Sequence, residues 1–261
     1  MPKATIAGVR IHYEIAGNGP PLVLTTGQGT GPASRTELIA GLATRYSVLS
    51  YDQRGTGRSE RVIEGQSIED LAEDIVALMD AAGLTNADVV GLSTGTGKAT
   101  ALAAYHADRV KRLVLAAPWT HGDAYLRVIQ NMRKAAARTM PADHYTQFNA
   151  LLIYPPEFRR EHASRFATLA EDALQSPPNA DGLAARLDSI LAFNALPLYP
   201  RITCPTLVVG ARDDQVMPIW FAEQAAEAIS GSRKVILDGG GHMFPETRTV
   251  DFLRIVLDFL N

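Results

Sequence analysis

Six short apolar or mostly apolar runs punctuate this chain: Leu22 to Leu24, Val48 to Leu49, Asp88 to Val90, Leu113 to Ala117, Thr206 to Val209 and Lys234 to Leu237. Most of the stretches between them have helical spacing. Strands that are apolar throughout, and not at every second residue, belong to a parallel sheet covered by helices on both faces, joined by right-handed crossovers. The expected fold class is therefore α/β, with a mostly parallel central sheet. An alternating segment, Ile6, Val9, Ile11, Tyr13 and Ile15 around Gly8, adds a small antiparallel hairpin at the start. One crossover helix is legible in detail. Ser67 with Asp70 forms a capping box, Ile68, Leu71, Ile75, Leu78, Met79 and Ala82 recur at helical spacing, and Gly83 ends the helix.

Between about residues 121 and 200 the rhythm stops. This stretch is rich in Ala, Arg, Met and Tyr and is punctuated by Pro141, Pro155, Pro156, Pro177, Pro178, Pro197 and Pro200, a pattern of short helices broken by prolines. Strand and helix alternation resumes at Thr206. At 261 residues the chain fits either one large domain or two small ones. We read residues 1–120 and 201–261 as one sheet domain, and 121–200 as a helical insertion into it.

With 46% hydrophobic and 20% charged residues the chain has material for a sizeable core. A net charge of −3 with scattered Lys and Arg argues against nucleic acid as a partner. No apolar stretch reaches the ~20 residues of a membrane-spanning helix, and the Met-Pro-Lys-Ala start lacks a signal-peptide core. The single cysteine, Cys204, precludes an intramolecular disulfide and reads as a buried structural thiol. The expectation is a cytoplasmic protein, monomer or homodimer, acting on a small molecule.

The segment Gly91-Leu-Ser93-Thr-Gly95 follows an apolar run and precedes the small-residue stretch Ala99, Ala101, Ala103 and Ala104. A serine on a sharp strand-to-helix turn presents its hydroxyl outside the sheet, needs small neighbours, and lies at the positive end of the helix. Ser93 is thus the candidate nucleophile. Gly97-Lys98 fails as a phosphate-binding loop, since that motif needs a glycine at Leu92 and Ser or Thr at Ala99. Thr100 takes the place of the third glycine of a dinucleotide site.

A serine needs a base, and the base an orienting carboxylate. His12 lies on the hairpin, His106 ends a helix, and His121, His144 and His162 fall in the insertion. His242, in Asp238-Gly-Gly-Gly-His242, follows the last strand and precedes a helix, so it is the candidate base. The loop after the preceding strand supplies Asp213 and Asp214. Either carboxylate can serve, with the other capping the helix begun at Pro218; Asp214 is preferred. An oxyanion needs two N–H donors: that of Thr94, directly after the serine, and one from the glycine-rich loop Thr25 to Gly31, for which we choose Gln28. No metal or organic cofactor is implied. Trp119, Tyr125, Met132, Phe148, Tyr154 and Phe193 are candidates for an apolar pocket lining, or for plain packing within the insertion.

The order Ser93, Asp214, His242, with serine in Gly-x-Ser-x-Gly after a strand, resembles the α/β-hydrolase fold over the whole chain. The loop Tyr51 to Ser59 and the segment Tyr105 to Val110 resemble the matching parts of that family. The resemblance implies that the insertion is a helical cap shaping the pocket. Within the family, Leu152 to Phe158, Arg186 to Ile190, and Arg201 to Pro205 with Asp213-Asp214 are similar to the aminoacrylate hydrolases of pyrimidine degradation, and next to the enol-lactonases of aromatic catabolism. The chain departs in having Thr26-Gly27 where a His-Gly pair is common. The expected function is a serine hydrolase cleaving a small ester, lactone or amide/carbamate-like bond through an acyl-enzyme. The alternative keeps the fold without hydrolysis, as a ligand-binding receptor-like protein or a cofactor-free oxygenase or perhydrolase.

Overall fold

The computed structural model describes residues 3–27, 35–61, 66–177 and 179–261. The strands are β1 (Lys3–Ile6), β2 (Val9–Ala16), β3 (Pro21–Thr25), β4 (Ser47–Tyr51), β5 (Ala87–Leu92), β6 (Val110–Ala116), β7 (Thr206–Ala211) and β8 (Arg233–Leu237). The helices are α1 (Thr36–Ala43), α2 (Ile68–Ala81), α3 (Thr94–Tyr105), α4 (Ala124–Thr139), α5 (Ala142–Ile153), α6 (Pro156–Glu161), α7 (Ala163–Gln175), α8 (Ala180–Ala192), α9 (Ile219–Ala228), α10 (Phe244–Thr247) and α11 (Thr249–Phe259).

The strands form one sheet in the order β1-β2-β4-β3-β5-β6-β7-β8. The apolar runs explain its centre. Every residue of β5 and β7 is buried, as both faces of a helix-covered parallel sheet require. From β4 through β8 all pairings are parallel. The alternating start gives the two antiparallel pairings, β1 with β2 and β2 with β4.

The capping box of α2 is present. The Ser67 hydroxyl accepts from Asp70 N, and Ser67 N donates to the Asp70 carboxylate. Gly83 follows in the left-handed region at φ 70°. Between β6 and β7 the described residues hold only helix and turn, and the prolines mark the breaks: Pro141 precedes α5, while Pro155 and Pro156 open α6. No helix among the described residues is long and apolar enough to cross a membrane. Because β5, β6, β7 and β8 are parallel neighbours, the loops after β5, β7 and β8, which carry Ser93, Asp214 and His242, leave the sheet at the same end. This end is where an open α/β sheet binds ligands.

Candidate active site

Ser93 alone makes the turn from β5 into α3. Its φ of 53° and ψ of −122° lie in a region that costs a residue with a Cβ on the order of 1–3 kcal/mol. Small neighbours permit the turn. A Cβ on Gly91 would lie 2.8 Å from Gly95 O, and one on Gly95 would strike Thr25 O. Ser93 N donates to Ala116 O at 2.8 Å, which ties the turn to the end of β6.

Across this turn, Ser93 Oγ lies 2.8 Å from His242 Nε2, and His242 Nδ1 lies 2.9 Å from Asp214 Oδ2. A carboxylate oxygen accepts, so the proton between His242 and Asp214 sits on Nδ1 and leaves Nε2 to accept from the serine. Asp214 is itself held: its Oδ1 accepts from Val216 N and Met217 N, both at 2.8 Å. Asp214 and His242 are buried. Asp213 does something else. Its two oxygens accept from Gly240 N at 3.2 Å and Gly241 N at 2.9 Å, and these glycines have φ of 124° and 64°. The glycine run thus bends over Asp213 to deliver His242. Neither aspartate caps α9, whose first turn has Pro218 at the cap and no side-chain bond.

A cavity of about 520 Å³ contains Ser93 and His242. Ile153, Leu169, Ile190, Val216, Met217 and Met243 give it apolar walls. Thr94 lines it too and opens α3, so its N–H is among those without an intrahelical acceptor. The Thr94 hydroxyl is buried with no hydrogen-bond partner among the described residues. Gln28 lies outside the described residues. Gly27, just before it, lies against the serine: a Cβ there would be 3.1 Å from Ser93 Cβ.

Of the six side chains named for the pocket, Tyr154 lines this cavity. Trp119 instead packs on Phe193 with centroids 5.5 Å apart and donates its indole N–H to Ile190 O. Tyr125 packs on Trp220, Met132 is exposed, and Phe148 packs against the core. Lys98 is buried on α3, where Nζ donates to Thr26 O at 3.1 Å and Gln53 Oε1 at 3.0 Å. Cys204 is partly buried, and burial raises its thiol pKa.

Sequence reasoning missed the polar half of the cavity: Arg35, Arg133, Asn149, Arg165 and Glu246. Glu246 pairs with Arg35 at 3.4 Å and Arg165 at 2.5 Å, and accepts from the Tyr154 hydroxyl at 3.0 Å. Burial, with Glu246 next in effect, pushes the Tyr154 phenol up to about 12. One signal was available. The buried stripe of α4 reads Leu126, Gln130, Arg133, Ala136, so two polar residues occupy positions that a merely amphipathic helix fills with apolar ones.

A helix-covered sheet with a strained serine at the end of a central strand, backed by histidine and aspartate from two later loops, is the architecture of the α/β hydrolases. The chain belongs to the α/β hydrolase fold family, whose model matches residues 20–249, and it is an α/β-fold hydrolase. It is 33% identical to a protein of Azorhizobium caulinodans provisionally named carbamate hydrolase RutD, over 99% of this chain and 98% of that one. Among solved structures it is similar to the enol-lactonase from Burkholderia xenovorans LB400, with 30% identity, a TM-score of 0.89 and 99% of each chain covered. A hydrolase from Pseudomonas aeruginosa PA01 matches with 26% identity, a TM-score of 0.89, and 100% and 98% coverage.

Proposed function

We propose that the chain is a serine hydrolase that opens a small ester, lactone or carbamate-like bond through an acyl-enzyme. The observation that carries this reading is the unbroken relay from Ser93 Oγ through His242 to Asp214, at 2.8 and 2.9 Å. In the first half-reaction His242 Nε2 takes the hydroxyl proton as Oγ bonds to the substrate carbonyl carbon. The carbonyl oxygen becomes an oxyanion held by the N–H of Thr94 and that of Gln28, each donor contributing about 3 kcal/mol. The tetrahedral adduct then collapses, the bond to the leaving group breaks, and His242 returns the proton to that group. Water repeats the sequence on the acyl-enzyme, releasing the acid and restoring Ser93.

The names of the relatives, a carbamate hydrolase and an enol-lactonase, support this substrate range, as does a cavity sized for a small molecule. We place the chain in the cytoplasm, a location compatible with the described residues holding no helix long and apolar enough to cross a membrane. A fluorophosphonate probe tests the nucleophile. Covalent labelling of the native chain, absent in Ser93→Ala, is the expected result; equal labelling of both, or of neither, overturns it.

A further inference from the structure

Lys98 follows Thr94 by one turn of α3 and is 1% exposed. Its Nζ donates to the backbone carbonyl of Thr26 at 3.1 Å and to Gln53 Oε1 at 3.0 Å, and the centre of the Tyr51 ring lies 5.4 Å away. Among the described residues no carboxylate bonds the amine. Asp74 acts on it weakly and is itself engaged by Arg54 Nε at 2.6 Å. Burial therefore lowers the pKa of the amine to about 7, a cost that a methionine of the same length would not incur. Packing alone does not account for a lysine here. What lysine adds is a donor aimed at Thr26 O and Gln53.

Thr26 stands just after β3, in the stretch that leads to the second oxyanion donor. Each step of this stretch is held. Thr25 Oγ1 is hydrogen-bonded to the Tyr51 hydroxyl at 2.9 Å. Thr25 O abuts Gly95, where a Cβ would strike it. Lys98 takes Thr26 O. Gly27 lines the cavity, and a Cβ on it would be 3.1 Å from Ser93 Cβ. The peptide that joins Thr26 to Gly27 is planar and trans. A donor on its carbonyl therefore also fixes the direction of the Gly27 N–H and the point from which the chain continues. So α3 presents the Thr94 N–H directly and, through Lys98, governs how the facing loop meets it.

We propose that Lys98 is a positioning residue for the oxyanion site, its bond to Thr26 O holding the Thr26–Gly27 peptide against Ser93 so that the main chain after β3 and the Thr94 N–H converge on the same oxygen. The proposal rests on the serine hydrolase reading. Lys98 touches neither the substrate nor the reacting atoms, and it acts only through the loop. An oxyanion develops in the transition state and not in the bound ester, so loss of this bond lowers kcat and leaves KM in place.

Lys98→Met removes the donor and keeps the length. With 4-nitrophenyl butanoate its kcat falls by about 30-fold while KM stays within about twofold of the native value. A second readout is inhibition by 1,1,1-trifluoro-2-hexanone, which adds to the serine as a hemiketal whose oxyanion occupies the same site. Its Ki rises by about the same factor as kcat falls. Lys98→Gln keeps an amide donor on a shorter side chain and regains part of kcat. If Lys98→Met does not fold, Lys98→Gln is held to the same criteria, with a loss of kcat of about threefold or more. An unchanged kcat, an unchanged Ki, or a loss of kcat/KM carried by KM overturns the positioning role. The fluorophosphonate probe separates the two readings. If it labels the native protein and the variants turn over like the native, Lys98 alone has been misread; if the native protein is neither labelled nor active on the ester, the hydrolase reading fails and the role of Lys98 with it.

Discussion

Asp213 and Asp214 are adjacent in sequence and hold different parts of the same loop. Asp214 receives the His242 ring at 2.9 Å, while Asp213 receives the N–H groups of Gly240 and Gly241, which steer the backbone into His242. Loss of charge should therefore have different consequences at the two positions. Asp214→Asn offers the ring an amide that stabilises neither the required tautomer nor the imidazolium, and we expect kcat on an activated ester to fall by about 10⁴. Asp213→Asn keeps one acceptor for the two glycine N–H groups, so kcat should fall by only about tenfold, with a lower melting temperature. Collapse of Asp213→Asn alone would reverse the two roles.

The turn at Ser93 should hold measurable strain. At φ 53° glycine is nearly free of penalty, whereas serine and alanine are not. Both Ser93→Gly and Ser93→Ala remove the hydroxyl and its bond to His242. The glycine variant should nonetheless be more stable than the alanine variant by about 1 kcal/mol, after its larger entropy in the unfolded chain is subtracted. Urea midpoints for the pair decide the matter, and equal midpoints would mean that the elbow is unstrained.

What could be read in advance follows from how local each signal is. The parallel sheet was legible because six runs repeat one pattern, and Ser93 and His242 because glycines that a sharp backbone course requires mark them within a few residues. The sequence left Asp213 as an alternative to the preferred Asp214, since a shift of one residue decides which carboxylate meets the ring, and the structure brings Asp214 to it. Gln28 lies outside the described residues, so the structure adds nothing to that choice. The polar side of the cavity was hidden for another reason. Arg35, Arg165 and Glu246 come from separate segments and meet only once the chain is folded, and in α4 nothing local distinguishes Arg133 from Arg127 or Arg138 apart from its place on the buried stripe.

Glu246 should fasten the helical insertion to the sheet domain. It sits on α10 and pairs with Arg35 ahead of α1, and with Arg165 and Tyr154 from the insertion. Glu246→Gln keeps the size but leaves two guanidinium groups facing each other across the cavity without a shared anion. We expect it to lower unfolding stability by about 1–3 kcal/mol. Added chloride should recover part of the loss by screening the two cations. A denaturation series at low and high sodium chloride tests this, and a variant as stable as the native protein at both would show that the pairing does not fasten the insertion.

Lys98 should give the protein a stability that rises with pH above neutrality. The amine is buried between Thr26 O, Gln53 Oε1 and the ring of Tyr51, 5.4 Å from Nζ. Burial lowers its pKa to about 7, with Asp74 working weakly in the other direction. Its two hydrogen-bond acceptors are satisfied by a neutral amine, which has two N–H groups. In the unfolded chain the amine titrates near 10.4, so between pH 7 and 10 the unfolded state binds more protons, and stability increases with pH by at most about 1.4 kcal/mol per pH unit. Below pH 7 both states carry the proton and the contribution is flat. Lys98→Met removes this component, so the difference in unfolding free energy between native and variant should change with pH only above neutrality. Urea titrations of both proteins from pH 6 to pH 10 measure it, and curves that stay parallel throughout would mean that Lys98 keeps its proton in the fold.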